Sequence, residues 1–83
     1  MEDYFMKFYV AELTNVHARA QAERIEAKSL TSAMRVAARN QCFNGTALKV
    51  GNEVDNHGFI KKPLAVKVDG QWYRFQHDSD EYC

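Results

Sequence analysis

Along the chain, short runs with a period of two surround one stretch with a period near that of a helix. Residues 5–13, Phe-Met-Lys-Phe-Tyr-Val-Ala-Glu-Leu, are rich in aromatic and apolar side chains and predict a strand. The polar stretch Thr14 to Gln21 predicts a connecting loop. A second strand is expected over 22–28, where Glu23, Ile25 and Ala27 share one face and Arg24, Glu26 and Lys28 the other. Only the first of those faces can turn inward, because period two carries the charges outward together. Ser29 offers a hydroxyl N-cap for a helix over 30–41. Leu30, Ala33, Met34, Ala37 and Gln41 recur there at helical spacing and predict the stripe that packs on a sheet. Asn44-Gly45 supplies the expected stop, since either residue accepts left-handed backbone.

Residues 46–50 predict a third strand with Thr46, Leu48 and Val50 on one side. Gly51 to Pro63, with its Gly, Asn, Asp and Pro residues, reads as a long loop. Two alternating runs then flank Asp69-Gly70, the dipeptide favoured where both turn residues need positive φ. That turn pairs Val66 with Tyr73 and Leu64 with Phe75 on one face, and Lys67 with Trp72 and Ala65 with Arg74 on the other. The predicted fold class is α+β: one helix on an antiparallel sheet of five strands, in the order ββαβββ. Residues 1–83 are expected to form one domain, ending in an acidic tail over 77–83.

Composition narrows the functional classes. A chain of 83 residues buries only about 60–65% of its unfolded surface, which leaves little room for a deep cofactor cavity. No cofactor and no small-molecule substrate are expected. The sequence has no apolar run of membrane-spanning length, and Met1-Glu2-Asp3 is acidic where a signal sequence is basic. Cys42 and Cys83 suit a reducing cytosol in which neither is paired. Net charge is zero, yet five of the eleven acids (Glu2, Asp3, Asp78, Asp80, Glu81) lie at the ends. Residues 4–77 therefore hold eleven basic and six acidic side chains, a body of +5 that favours an acidic or phosphate-bearing partner.

Catalytic and metal motifs are missing from the sequence. There is no nucleophile elbow, phosphate-binding glycine loop or HExxH, and His17, His57 and His77 are far apart. Cys42, at the end of the helix, reads as a small half-buried core residue. No CxxC or HxxxH pair nucleates a metal site, and the tail lacks the glycine of a calcium loop. No enzymatic activity is expected. Two surface clusters carry the candidate chemistry instead. Lys67, Trp72 and Arg74 share one hairpin face and combine an aromatic ring with cations, which suits base stacking with phosphate attraction or a protein hot spot. A cross-strand pair that only stabilises the hairpin, or a Trp72 covered by another element, fits the same pattern. Arg35 and Arg39 lie four apart on the helix, with Asn40 and Gln41 adjacent. Like charges at that spacing are mildly destabilising unless something offsets them.

The run from Arg24 to Thr46 carries a resemblance. Ile25-Glu26-Ala27, Ser29-Leu30, Ala33, Arg35-Val36-Ala37 and Gln41-Cys42-Phe43-x-Gly45-Thr46 closely resemble the core of the ninth-numbered family of phage-encoded type I-F anti-CRISPR inhibitors. Tyr9-Val10, Glu12 to Val16 and Leu64 to Gly70 fit more loosely. The capped helix followed by Gln-Cys-Phe-x-Gly-Thr is the specific part. The resemblance implies an inhibitor that docks on the repeating backbone subunits of the guide-RNA-bound type I-F surveillance complex (Csy complex, Cascade-like). There it blocks pairing with target DNA, in the cytoplasm of an infected bacterial host. Members are also associated with non-specific duplex binding by the inhibited complex. Carried over by position, the contacts are Arg35, Arg39 and Gln41, with Lys67 after the loop. Met34 replaces a family lysine, Gln71-Trp72 replaces a Lys-Arg pair, the 51–63 loop is longer, and the acidic tail is additional. A direct nucleic-acid-binding module using Lys67, Trp72 and Arg74 is the alternative.

Overall fold

A computed structural model describes residues 5–15 and 18–75. It contains strands β1 (Met6–Leu13) and β2 (Glu23–Ala27), helix α1 (Leu30–Arg39), and strands β3 (Ala47–Gly51), β4 (Ala65–Val68) and β5 (Gln71–Arg74). The strands form one five-stranded antiparallel sheet in the order β2-β1-β3-β4-β5. The α+β fold with element order ββαβββ is as the sequence pattern indicates.

β1 lies between β2 and β3, with Phe8 opposite Ile25 and Val10 opposite Val50. Alternation sends Phe8, Val10 and Glu12 to the face that also carries Leu48 and Val50. That face meets α1: Phe8, Ala27, Ala33, Ala37, Leu48 and Val50 form the main core, with Val10, Ile25, Leu30, Leu64 and Trp72 packed against it. The helix contributes alanines, so its backbone sits close to the sheet. Leu48 and Val50 are the largest fully buried side chains, each worth about 1.5–3 kcal/mol of transfer from water. Ser29 caps the helix as expected, its Oγ accepting from the Ser32 N–H at 3.2 Å.

The other face of the sheet is also covered. Ala11, Leu13 and Ala47 are buried beneath Ala18, Ala20, Ala22 and Ile60. The stretch after β1 and the long loop after β3 therefore act as a second, thinner layer. Inside that loop, Val54 bridges to Ile60, and the Asp55 carboxylate accepts from the N–H groups of His57 and Phe59. Gly51 permits this closure, since a Cβ there would lie 2.6 Å from Ile60 Cγ2. The β4–β5 turn has Asp69 at φ 54 and Gly70 at φ 79, the mirror-image turn that Asp-Gly predicts. Its register pairs Val66 with Tyr73, Lys67 with Trp72 and Ala65 with Arg74, as expected.

The third strand runs one residue later than expected, over Ala47–Gly51, and the helix end differs more. The helix stops at Arg39 and not at 41, and Asn40, not Asn44-Gly45, caps it. The cause is a long-range contact: the Cys42 and Phe43 N–H groups donate to the Glu12 carboxylate of β1 at 2.9 Å each. Those amides leave the helical ladder for a neighbouring strand. The proposed acidic tail, His77 and Cys83 lie outside the described residues, as does His17.

Candidate partner-binding surface

Beyond the end of α1 the chain makes a turn over 41–46 that is organised by one side chain. Glu12 projects from the helix-facing side of β1, where its neighbours Phe8 and Val10 are apolar. Its Oε1 accepts from Cys42 N–H, and its Oε2 from Phe43 N–H and from the Thr46 hydroxyl at 2.7 Å. The Cys42 amide first, then the Thr46 hydroxyl and the Phe43 amide, hold this carboxyl below its ordinary pKa against a smaller opposing effect of burial.

The network continues outward. Gln41 Nε2 donates to Thr46 Oγ1 at 2.9 Å and to the Thr46 carbonyl at 3.2 Å. Lys67 Nζ donates to Gln41 Oε1 at 3.2 Å. A chain of hydrogen bonds thus runs from a cation on β4, through a neutral amide, to a carboxylate on β1. Gln41 and Lys67, which are 26 residues apart in sequence, are joined directly. With Asn44, Thr46, Asp69 and Gly70 they line an open hollow of about 440 Å³ between the turn and the β4–β5 hairpin.

Arg35, Arg39 and Asn40 are exposed, Arg39 in the last turn of α1 and Asn40 at its C-cap. Among the described residues the side chains of Arg35 and Arg39 have no hydrogen-bond or ion-pair partner, whereas Arg24 on β2 is paired with Glu26. No carboxylate of the described residues therefore pairs with these helix cations. Their mutual repulsion is left to solvent or to a partner.

The hairpin cluster is arranged differently from a free surface. Lys67, Trp72 and Arg74 do share a face, but it is the face turned toward α1, because Lys67 sits opposite the buried Leu48. Trp72 is half-buried against the main core, so it serves packing, and its ring is not an open stacking platform. Arg74 donates to the Thr31 hydroxyl at the start of the helix. Tyr73, on the opposite face, is the exposed aromatic of β5. Cys42 also departs from expectation: it is exposed, its thiol lying 3.7 Å from the Asn40 carbonyl, because the turn directs its amide inward to Glu12.

Glu12, Phe43 and Thr46 belong to this network but are not among the contacts expected from the sequence, although Phe43 and Thr46 lie in the Gln-Cys-Phe-x-Gly-Thr run. The available signal was a carboxylate at an inward position of β1. Among the described residues no group of three or more His, Cys, Asp or Glu side chains is placed to hold a metal, and no helix is long and apolar enough to cross a membrane.

Among the described residues, one short helix packed on a five-stranded antiparallel sheet, with a hydrogen-bonded polar turn after the helix, defines an α+β fold. No family model matches the sequence. No curated protein matches it either. Among solved structures, one described as AcrIF9 superposes with a TM-score of 0.72 at 31% identity, covering 88% of this chain and 90% of that one. The chain belongs to the AcrIF9 family of anti-CRISPR proteins.

Proposed function

We propose that the protein inhibits a type I-F CRISPR surveillance complex by stoichiometric binding. Its partner is the guide-RNA-bound complex, and it docks on the repeating backbone subunits in the cytoplasm of the infected host. The contact residues are Arg35, Arg39, Asn40, Gln41 and Lys67. Held there, positive side chains occupy ground that target-DNA phosphates require, so hybridisation to the guide is blocked. Non-specific duplex binding by the inhibited complex is compatible with a basic body left partly exposed. The observation that carries this reading is a pair of exposed arginines on α1, without a carboxylate partner among the described residues, in a chain of AcrIF9 ancestry whose Gln41 and Lys67 are hydrogen-bonded. Trp72 and Arg74 act in it by supporting the helix and sheet that present the surface.

The test is a calorimetric titration of a purified type I-F surveillance complex with the parent protein and with the double variant Arg35→Glu, Arg39→Glu. Reversing both charges is expected to weaken binding several-fold or more, and unchanged affinity removes the helix from the interface. If the isolated protein instead shifts DNA or RNA in a gel, with affinity falling steeply as salt rises, direct nucleic-acid binding is the better description.

A further inference from the structure

We infer that the 41–46 turn is a preformed hot spot in which Phe43 is the apolar anchor and Glu12 the positioning residue. The inference rests on the proposed inhibitor reading and specifies the chemistry of its interface. Phe43 is 69% exposed, the most of any large apolar side chain among the described residues. Its backbone is nevertheless fixed: its N–H and the preceding one are both bonded to Glu12, and Thr46 Oγ1 closes the turn onto the same carboxylate. A solvent-facing aromatic ring on a restrained backbone contributes little to the fold. It does lower the entropy lost when a partner is met, because the turn need not be ordered on contact.

The surroundings match the anatomy of a protein hot spot, an aromatic anchor rimmed by polar groups. Arg39 and Asn40 precede the turn, and the hollow lined by Gln41, Asn44, Thr46 and Lys67 follows it. The partner it fits is a protein surface with an apolar recess for Phe43, edged by carboxylates or carbonyl oxygens for Arg39, Asn40 and Lys67. A polyanion fits less well at the turn itself. Asp69 borders the same hollow with a negative charge.

Three variants titrated against the purified surveillance complex test this. Phe43→Ala is expected to weaken binding about 30-fold while leaving the melting temperature unchanged. Glu12→Gln is expected to weaken it to a smaller extent. In the free Glu12→Gln protein the Cys42 and Phe43 amides should exchange faster, with the Val50 amide still protected. Parental affinity in Phe43→Ala overturns the anchor. In Glu12→Gln, an unchanged turn, or a loosened one that binds as tightly as the parent, overturns the clamp. The Arg35→Glu, Arg39→Glu variant separates the two levels: if it loses binding while Phe43→Ala does not, the inhibitor reading stands and this inference falls. If neither variant changes binding, both fall. Capture of a single-stranded oligonucleotide by the free protein, lost in Phe43→Ala, overturns the choice of a protein partner.

Discussion

Glu12 occupies a position where the alternation of β1 calls for an apolar side chain, and the exception organises the surface. Its three donors lower its folded pKa, the Cys42 amide contributing most. A depressed carboxyl adds stability that is complete above its unfolded value of about 4.3 and is lost as pH falls through the lower folded value. Asp55, held down mainly by the Phe59 amide, acts in the same direction. Acid titration of the parent, followed by circular dichroism, should therefore show a loss of stability starting near pH 4 that is shallower in Glu12→Gln. The odd carboxylate was visible in the sequence, but its partners were not. Cys42 and Phe43 lie 30 and 31 positions away, and only the β1–β3 pairing brings them near. For the same reason Cys42 read as a core residue when its thiol in fact faces outward.

Local chemistry was legible at the scale of elements, and the direction of faces was not. Ser29 caps α1 and Asp69-Gly70 turns the hairpin because each requirement is met within a few residues. Ser29→Ala should cost about 1 kcal/mol in denaturant unfolding, the usual value of a lost N-cap. Gly70→Ala, at φ 79, should likewise destabilise the hairpin by about 1 kcal/mol. By contrast, the pattern groups Lys67, Trp72 and Arg74 together without saying what that group faces. Leu48, paired across from Lys67, decides that it faces the helix. Among the site residues, Gln41 and Lys67 each stand out in the sequence, whereas their hydrogen bond joins positions 26 apart that no local pattern pairs.

Considered whole, the molecule places both layers of its core on one sheet. Leu48→Ala, at the centre of the main layer, should lower stability by about 2–5 kcal/mol in chemical denaturation, since little can collapse into the space. The long loop contributes a layer of its own. Gly51→Ala should displace Ile60 and loosen that layer, read as faster amide exchange at Lys61, whose N–H is bonded to the Glu53 carbonyl. The eleven cations and six carboxylates between residues 4 and 77 give a positive body. Association with an acidic partner should accordingly slow as ionic strength rises, with a smaller effect on dissociation, measurable by surface plasmon resonance.

The strand order leaves β2 and β5 at the margins, and they span only five and four residues. Margins that short offer few unpaired backbone groups for another copy to zip onto. Self-association through the sheet margins is then disfavoured, and sedimentation at rising concentration should show a single monomeric species.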